Sequence, residues 1–431
     1  MKILFIYFIF FFTSYSVLSQ KTVDVKYTSI APIIDGVLDD EIWATTKPAD
    51  DFWQHFPTDS VKATAQTEVH LSYDDNNLYV GIKCYASGNK WIVNSLKRDY
   101  RAGGNDNITL LFDSFDDRTN AFFFGINPLG VIREGVVTNG GNGRRGFSDA
   151  WDNKWKGESK MYDGYYTAEM EIPFSTLRFK AGGDQWGFHA YRFDTQDNEI
   201  SVWSRVLRNQ RMFSVAYAGN MKWERPLEIS GPNISVIPYV SANFSKNFEE
   251  DTPSNYRFSS GGDVKVGISS GLNLDLTVNP DFAQVEVDRQ VTNIDRFEIF
   301  FPEKRQFFLE NADLFGSFGF SSSNPFFSRR IGVGRDTITG ANVQNRIIGG
   351  ARLSGKVNNN LRVGLLTMQT SEELSQGIPS INYTVISAQH KLWKRSNVGF
   401  IVVNRQTGDE GAQLIDEYNR VVGVDFNYSN T

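Results

Sequence analysis

The sequence contains few of the side chains on which several kinds of catalysis depend. Its 431 residues include one cysteine, Cys84, and four histidines. A single cysteine cannot form an intramolecular disulfide, and in the apolar run LYVGIKCY it is typical of a buried strand thiol rather than of a nucleophile. The sequence also has no HExxH motif, no Ser-His-Asp signature and no phosphate-binding loop. Metalloprotease, serine-hydrolase and nucleotide chemistry are therefore unsupported.

Basic charge is scarce as well. Lysine and arginine number 44 against 50 aspartates and glutamates, which gives a formal net charge of −6 and a pI of about 5.4. General nucleic-acid binding needs a basic face, so we expect no nucleic-acid partner. Beyond the N-terminus no apolar run approaches the ~18 residues of a transmembrane helix, and the mean hydropathy is −0.35. If the chain enters a bilayer, it must do so with strands that close into a barrel.

The N-terminus has the parts of a secretory signal peptide. Lys2 precedes the apolar stretch Ile3–Phe12, and TSYSVLS then leads to the small Ser19. A positive residue, a short apolar core and a small residue before the cleavage point are typical of such peptides. We predict a signal peptide at 1–19 and an exported mature chain that begins at Gln20. An uncleaved membrane anchor is the alternative.

Residues 20–230 are predicted to form a β-sandwich. The stretch TEVHLSYDDNNLYVGIKCYA is typical of a hairpin with its turn at Asp74–Asn77, and NITLLFDSFDDRTNAFFFGINPLG repeats the pattern. Short alternating strands at regular spacing, separated by polar turns, indicate a sandwich. Aromatic residues make up 14% of the chain, an excess that suits either sugar-stacking surfaces or the aromatic girdles of membrane barrels.

Residues 231–431 show a second kind of strand. In LNLDLTV (Leu272–Val278), aliphatic side chains alternate with Asn, Asp and Thr. This repeat fits a half-buried soluble strand, or a membrane strand with lipid on one side and a polar lumen on the other. We expect the latter, which makes the protein all-β, with an antiparallel outer-membrane β-barrel after the sandwich. About eight such strands precede the end of the sequence, so we expect the barrel to be incomplete.

A Phe-rich insert at about 280–335 interrupts those strands. Its segment FFPEKRQFFLENADLF combines phenylalanines with acidic and basic residues. We predict that this segment lies inside a polar lumen or over its mouth, where Glu303 and Arg305 neutralise each other. Asp313 and Arg329 are a second predicted pair. A periplasmic loop that packs on the sandwich is the alternative.

Candidate carbohydrate-binding residues lie where tryptophan is surrounded by acids and amides. In and near FSDAWDNKW they are Trp151, Trp155, Asp149, Asp152 and Asn153, and Trp91 is a further candidate. Indole rings stack on the apolar face of a sugar, while acidic and amide groups bind its hydroxyls. A role in the core is the alternative for each indole.

Calcium is the one candidate ion, and no catalytic residue is assigned. The candidate calcium ligands are Asp106, Asp113 and Asp116, in and near acid-rich turns that do not match an EF-hand loop. A glycosidase needs two carboxylates at a defined separation in space, which a sequence does not give.

Several stretches resemble a known kind of protein. IDGVLDDEIW, TEVHLSYDDNNLYVGIKCY, NDNITLLFDSFDDR and YTAEMEIPFSTLRF resemble the N-terminal module of a family of Gram-negative outer-membrane proteins. That module is similar to the family 9 carbohydrate-binding modules found on xylanases. The segment from LDLTVNPDF to NADLF, together with FFSRRIG, looks like the C-terminal outer-membrane domain of the same family. The resemblance covers nearly all of the mature chain.

The resemblance implies an exported sugar-binding sandwich, of a kind that also holds calcium, fused to an outer-membrane β-barrel. Sugar-binding members hold the ligand between two tryptophans. At the two corresponding places this sequence has YRAGG (Tyr100–Gly104) and RNQRMFSV (Arg208–Val215), neither of which contains tryptophan.

We therefore expect non-catalytic binding of a carbohydrate or related polymer at the outer membrane, with the sandwich in the periplasm or at the cell surface. Two alternatives stay open. One is a polysaccharide hydrolase or an accessory to one, which a pair of carboxylates about 5–10 Å apart in a cleft would favour. The other is a structural or translocation component that binds other envelope proteins, which a large exposed apolar patch on the sandwich would favour.

Overall fold

The computed structural model describes most of the chain from Gln20 onward. The described residues are 20–141, 146–149, 151–179, 181–228, 234–246, 248, 254–269, 271–280, 303–316, 318–319, 324–337, 340, 342–393, 396–408 and 418–428. The predicted signal peptide and residues 281–302 of the Phe-rich insert lie outside them.

The first part of the described chain is built almost wholly of strands. They are β1 (Thr22–Tyr27), β2 (Trp53–Phe56), β3 (Thr67–Tyr73), β4 (Asn77–Tyr85), β5 (Asn107–Asp113), β6 (Ala121–Ile126), β7 (Ile132–Val137), β8 (Phe147–Ser148), β9 (Lys156–Tyr162), β10 (Tyr165–Pro173), β11 (Gly183–Asp194), β12 (Glu199–Val202) and β13 (Gly219–Leu227), with one short helix, α1 (Glu41–Thr45).

These strands form a sandwich of two sheets that share β1. The first sheet has the order β8-β7-β6-β5-β11-β13-β1, with β12 and β2 added beside β11, and the second has the order β1-β3-β4-β10-β9. β1 changes sheets along its length: Thr22–Val25 pair in parallel with β13, whereas Lys26 and Tyr27 pair with β3. The predicted hairpin is confirmed, since β3 and β4 pair in antiparallel fashion with Tyr73 opposite Leu78.

Alternation along the strands decides which side chains fill the space between the sheets. Leu110 and Phe112 of β5 point into the main core with Trp186 of β11, while Leu111 points to the opposite, outer face of the first sheet. That outer face is apolar too, because the segment between β12 and β13 covers it with residues such as Val215. Both faces of the first sheet are therefore packed.

The second part of the described chain forms another sheet. Its elements are β14 (Ile234–Ser245), β15 (Asn255–Gly267), β16 (Leu272–Val278), α2 (Gln306–Leu309), α3 (Asp313–Gly316), β17 (Val333–Arg335), β18 (Asn342–Gln344), β19 (Ile347–Lys356), β20 (Leu361–Thr370), β21 (Ile381–Leu392), β22 (Ser396–Thr407) and β23 (Tyr418–Asn427). Eight of the strands form one antiparallel sheet in the order β14-β15-β16-β19-β20-β21-β22-β23, and β17 pairs with β18. Among the described pairings β14 and β23 are free edges, so a closed barrel is not among them. The described protein is all-β apart from α1, α2, α3 and a few single turns.

The polarity of the eight-stranded sheet is opposite to that of a soluble sheet. In β16, Asn273, Asp275 and Thr277 are buried, whereas Leu276 and Val278 are 38% and 65% exposed. The exposed face continues across the sheet through Val236, Val240, Phe258, Leu365, Ile386, Phe400, Val422 and Val424. Cross-strand register aligns these side chains, with Leu365 opposite Ile386. We call this surface the outer apolar face. No helix of the described chain is long and apolar enough to cross a membrane.

Helices α2 and α3 pack on the opposite, inner face of this sheet. Phe315 and Phe318 join an apolar cluster with strand residues such as Val385. Two strand glycines make room for the rings: a Cβ on Gly364 would lie 2.7 Å from the Phe315 ring, and one on Gly399 would lie 2.9 Å from the Phe318 ring. The described part of the Phe-rich insert therefore packs on the inner face of the eight-stranded sheet.

One of the two predicted ion pairs of the insert is confirmed. Glu303 pairs with Arg305 at 2.7 Å. The prediction for Asp313 was wrong, because its carboxylate pairs with Arg362 of β20 at 2.6 Å rather than with Arg329. The reason is that α3 faces the sheet, which sequence spacing did not show.

The sandwich contacts one end of the eight-stranded sheet. The carboxylate of Asp117 pairs with Lys356, and its carbonyl accepts a hydrogen bond from Nζ of Lys391 at 2.9 Å. Arg178 of the sandwich also lies 3.8 Å from Glu310 of the insert. The turn after β5 therefore rests on the strand ends of the sheet.

Candidate functional site

Two of the three tryptophans predicted as sugar platforms, Trp151 and Trp155, are buried. Trp151 and Trp155 are each 7% exposed and pack against Phe124 in the main core. Trp91 is half-buried, and its ring is perpendicular to that of Tyr166 with the centroids 5.1 Å apart. A stacking platform needs an accessible ring face. Trp151 and Trp155 lie in the core, which was the alternative for each indole.

The polar residues of the same segment divide between solvent and one buried carboxylate. Asp149 and Asp152 are exposed. The backbone N–H of Asn153 donates to Glu134 at 3.2 Å, and its carbonyl accepts from Arg98 at 2.7 Å. The structure therefore gathers Asp152 and Asn153, but not Asp149, around Glu134.

The three aspartates predicted to bind calcium do not form one site. Asp106 precedes β5 and Asp113 ends it, so an extended strand of about 20 Å lies between them. Asp106 accepts hydrogen bonds from the backbone and hydroxyl of Thr195 at 2.8 and 2.6 Å. Asp113 and Asp116 both bind Arg118, Asp113 through the backbone N–H. Burial raises the pKa of Asp113 to about 6. These contacts organise turns.

A different set of carboxylates does converge. Oxygen atoms of Asp99, Glu134 and Asp152 all lie within 4.8 Å of one another. Glu134 is fully buried, pairs with Arg98 and accepts a hydrogen bond from the indole of Trp155 at 3.2 Å. Carboxylate oxygens of this kind suit Ca²⁺. The sequence prediction missed Asp99 and Glu134 because the three residues come from separate segments that only the fold brings together.

Asp99 has an unusual backbone and a shifted acidity. Its φ of 59° is left-handed, a conformation that Asp and Asn tolerate best among residues with a Cβ. Burial, and then the charge of Glu134, raise the pKa of Asp99 to about 7. Its Oδ1 accepts the backbone N–H of Glu134 at 3.1 Å. A cation held by the three carboxylates would relieve their repulsion.

The outer face of the first sheet carries a second cluster, which the strand register creates. Arg133 of β7 lies opposite Gly125 of β6. Gly125 in turn lies opposite Thr109 of β5, which faces Tyr191 of β11. A Cβ on Gly125 would lie 2.8 Å from both Cγ of Arg133 and Oγ1 of Thr109. The glycine therefore lets the arginine stem lie flat over the sheet.

The guanidinium of Arg133 is buried, and some of its hydrogen-bond donors are unpaired. Arg133 is 3% exposed, and its Nε and Nη1 have no hydrogen-bond partner. The hydroxyl of Tyr100, which is equally buried, has none either. The ring centroids of Tyr100, Phe123 and Phe147 lie 5.7, 5.1 and 5.5 Å from Cζ of Arg133. We call these four residues the Arg133 pocket. Buried polar groups are normally hydrogen-bonded, so this pocket lacks an acceptor.

Two half-buried rings cover the Arg133 pocket. Phe147 stacks on Phe123 with centroids 4.3 Å apart, and Phe213 lies 4.9 Å from Phe147. Phe147 belongs to β8, a two-residue strand at the edge of the sheet. Short edge segments with few ladder contacts open at low free-energy cost. The cover can therefore move more easily than the floor.

The Arg133 pocket and its cover draw residues from two stretches without tryptophan. Tyr100 belongs to YRAGG and Phe213 to RNQRMFSV. Sequence reasoning missed Arg133, because a lone arginine in a strand is usually a solvated one. The signal that could have found it is the outward position it shares with apolar neighbours on a sheet covered on both faces.

A cavity of about 330 Å³ lies at the joint between the sandwich and the eight-stranded sheet. Asp117, Lys356 and Lys391 line it together with Asn359 and Asn360. Of these residues, Asp117 already binds both lysines. The cavity is therefore better suited to holding the two parts together than to binding a ligand.

The fold and these clusters define a class of protein. It is an all-β chain in which a sandwich with a buried cationic pocket is joined to an antiparallel sheet with an exposed apolar face.

Residues 233–410, within that sheet region, match the model of a domain family described as a domain of unknown function (DUF5916). Among curated proteins nothing matches the chain. Among solved structures, the chain is similar to a carbohydrate binding module of family 9 from Caldicellulosiruptor kristjanssonii in complex with cellotriose. The identity is 18% over 48% of this chain and 94% of that chain, with a TM-score of 0.35. The chain is similar to the glucose complex of that module as well. The identity is 18% over 48% of this chain and 96% of that chain, with a TM-score of 0.35.

Proposed function

We propose that this protein is an exported outer-membrane protein whose sandwich binds carbohydrate, without catalysis, through the Arg133 pocket. The observation that carries the proposal is the set of buried donors without acceptors, the Nε and Nη1 of Arg133 and the hydroxyl of Tyr100. Leaving such groups unpaired costs roughly 1–3 kcal/mol each, and more for a charged group. A ligand rich in oxygen acceptors would recover that free energy.

The aromatic frame supports carbohydrate over other oxygen-rich ligands. Tyr100 and Phe147 flank the guanidinium, and Phe213 extends the apolar surface outward. Sugar rings present an apolar face to aromatic rings and hydroxyls to polar groups. The resemblance of the sandwich motifs to carbohydrate-binding modules agrees with this. Binding requires the cover formed by Phe147 and Phe213 to open.

The outer apolar face supports the membrane part of the proposal. A strand with aliphatic side chains exposed and Asn, Asp and Thr buried is stable in water only if something covers the aliphatic side. Lipid outside and polar residues inside is the pattern of outer-membrane strands. We propose that the eight strands form part of a barrel wall, with α2 and α3 on its lumen side, and that the signal peptide at 1–19 directs export.

The glycan part is tested with the full chain in neutral detergent on a glycan array. We expect saturable binding to at least one carbohydrate, and about tenfold weaker binding by Tyr100→Phe, which removes one hydrogen bond to the ligand. Because that hydroxyl has no protein partner, the melting temperature should not fall. Tyr166→Phe, in the main core, is the matched control and should bind normally. Absence of binding across the array, or full binding by Tyr100→Phe, would contradict the proposal.

The membrane part is tested by fractionating a Gram-negative host that expresses the full chain. We expect the protein in the outer-membrane fraction. Leu365→Arg, in the middle of β20, should lower assembly, because arginine near the bilayer midplane costs roughly 2–4 kcal/mol. Leu96→Arg replaces an exposed leucine of the sandwich and should leave assembly intact. Recovery of the unmodified chain in the soluble fraction would contradict outer-membrane insertion.

Hydrolysis is less well supported by the geometry. The carboxylates that converge are Asp99, Glu134 and Asp152, and Glu134 is fully buried with both oxygens bound to protein groups. A general acid must reach the bond it protonates. The arrangement suits a bound cation better than an acid–base pair.

A further inference from the structure

We propose that the carbohydrate bound by the sandwich is acidic, a chain of sugars that bear carboxylates such as a polyuronate. This inference rests on the proposed function and adds the chemical class of the ligand. Two independent features carry it, the uncompensated charge of Arg133 and a row of arginines beside the Arg133 pocket.

The charge of Arg133 has no carboxylate partner within the described chain. The rings of Tyr100, Phe123 and Phe147 lie around its guanidinium. The neighbouring Glu134 points to the other face of β7, where it binds Arg98 and Trp155. Buried charges in folded proteins are normally paired, since desolvation of an unpaired ion is costly. A neutral sugar would satisfy the hydrogen bonds of Arg133, but only an anionic one would also compensate its charge.

Three exposed arginines follow one another at intervals of three along the segment after β12, each over an aromatic ring. The pairs are Arg205 over Trp53 at 5.2 Å, Arg208 over Phe56 at 5.5 Å and Arg211 over Phe213 at 5.7 Å. Stacking on a ring orders the guanidinium plane while leaving its edge to bind a carboxylate. We call these three residues the arginine row.

The arginine row is continuous with the Arg133 pocket. Arg211 lies over Phe213, Phe213 contacts Phe147, and Phe147 lies over the guanidinium of Arg133. Trp53 and Phe213 both pack on the outer apolar cluster of the first sheet. A ligand that enters the Arg133 pocket with one sugar would therefore extend its next sugars along the row.

Among the described residues, the acidic residue that hydrogen-bonds to the row is Asp59. The carboxylate of Asp59 accepts the backbone N–H of Arg208 at 2.8 Å, and its carbonyl accepts Nε of Arg205 at 2.8 Å. Asp51 pairs with Lys62 and Lys21. On a chain with a net charge of −6, this face is thus a local cationic surface. A cationic strip with interleaved rings matches a polymer of carboxylated pyranoses, which offers an anion and an apolar face in each unit.

The test compares an acidic oligosaccharide with its uncharged methyl ester. The full chain in neutral detergent is titrated with a tetramer of galacturonic acid and with its fully methyl-esterified form, by calorimetry. We expect the acid to bind at least about tenfold more tightly than the ester, because each charge-assisted hydrogen bond exceeds a neutral one. The advantage should shrink as salt rises from 50 to about 300 mM, since exposed charges are screened.

Variants locate the interaction. The double variant Arg208→Gln/Arg211→Gln should lose about tenfold in affinity for the acid and little for the ester. Arg225→Gln is the matched control, because Arg225 is also exposed and stacked, on Tyr27 at 4.2 Å, but lies on β13. It should bind both ligands like the unmodified chain. Full acid binding by the double variant would overturn the assignment of the row.

The remaining outcomes separate this inference from the proposed function. Equal binding of acid and ester, or binding of neutral glycans alone on the array, would overturn the acidic class and leave carbohydrate binding standing. Silence of the whole array would overturn both. Binding to vesicles that contain phosphatidylglycerol tests whether the surface binds anionic lipid headgroups. Binding to these vesicles with no binding to the galacturonate tetramer would overturn the inference in favour of a membrane surface.

Discussion

Single residues on the outer face of the first sheet combine full burial with incomplete pairing, and His189 is a titratable example. Its ring is fully buried, Nε2 contacts the carbonyl of Met212 at 2.9 Å and Nδ1 has no partner. Burial lowers the pKa of His189 to about 4. Between pH 4 and about 6.5 the unfolded chain therefore binds more protons at this position than the folded chain. The stability that the neutral ring contributes is complete above pH 6.5 and is lost as the pH falls toward 4.

Replacing His189 should change how stability depends on pH. For the unmodified chain we expect the free energy of unfolding of the sandwich to fall by on the order of 3 kcal/mol from this group between pH 6.5 and 4. His189→Gln keeps a donor for the carbonyl of Met212 but cannot titrate, so its decline should be shallower by that amount. Urea unfolding followed by tryptophan fluorescence measures both curves. Parallel curves would contradict the assignment.

The carboxylates of Asp99, Glu134 and Asp152 predict a calcium response. Calcium at millimolar concentration should raise the melting temperature of the sandwich, because an ion that binds only the folded state stabilises it by mass action. Asp152→Asn should abolish the rise. Asp149→Asn, on an exposed residue of the same segment outside the trio, should keep it. A rise of equal size in Asp152→Asn, or none in the unmodified chain, would argue against this site.

At the residue scale, the sequence indicated which residue types lie near one another along the chain, but not which way their side chains point. It placed Trp151 and Trp155 among acids correctly, yet both indoles turn into the core. Asp152 was selected as a candidate sugar ligand, and the structure places it beside carboxylates from distant segments. Arg133 went unnoticed because its meaning depends on Gly125 across the strand. Which way a side chain points, and what lies opposite, are set by strand register, and register cannot be read from one strand alone.

At the scale of elements, the fit of α3 against β20 depends on a strand position without a side chain. A Cβ on Gly364 would lie 2.7 Å from the Phe315 ring and 2.7 Å from Oγ of Ser387. Gly364→Ala should therefore destabilise the packing of the insert on the sheet by roughly 1–3 kcal/mol. Phe315→Leu in the same chain should recover part of the loss, because a smaller side chain leaves room for the methyl group.

This prediction is measured by thermal unfolding in detergent, with Gly103→Ala as the control, since a Cβ there would have no neighbour within 4 Å. A coupling energy between Gly364→Ala and Phe315→Leu identifies the contact. Strict additivity of the two substitutions would show that the ring and the glycine do not meet.

Elements with a local signal were predictable from the sequence. The strands on either side of the turn at Asp74–Asn77 are present in the structure as β3 and β4. The alternating stretch Leu272–Val278 is present as β16. The passage of β1 between two sheets has no local signal, because it depends on where β13 and β3 lie. The partner of Asp313 was missed for the same reason, since Arg362 comes from a strand that follows the insert by many residues.

At the scale of the whole molecule, the contact between the two parts fixes where the sandwich would stand relative to a membrane. Lys356 and Lys391, which hold Asp117, lie at the ends of β19 and β21. If the outer apolar face meets lipid, this end of the strands is at the membrane surface. The sandwich would then sit close to the headgroups.

Trp393 offers a direct probe of that arrangement. It follows β21 at the end that contacts the sandwich, is 74% exposed and lies 6.3 Å from the ring of Tyr428. Tryptophan and tyrosine are enriched at the headgroup level of membrane proteins. The sequence has nine tryptophans, and the other eight lie at or before Trp223, in the sandwich part of the chain. In vesicles of brominated phosphatidylcholine we therefore expect lipid quenching of fluorescence to come from Trp393 alone.

Trp393→Phe should abolish the lipid-dependent quenching, whereas Trp91→Phe, on a half-buried indole of the sandwich, should leave it unchanged. Bromine near the headgroups should quench more strongly than bromine at the chain ends, because an anchor at strand ends lies shallow in the bilayer. Quenching that persists in Trp393→Phe would mean that sandwich tryptophans touch lipid, and the outer apolar face would then not be the surface that enters the membrane.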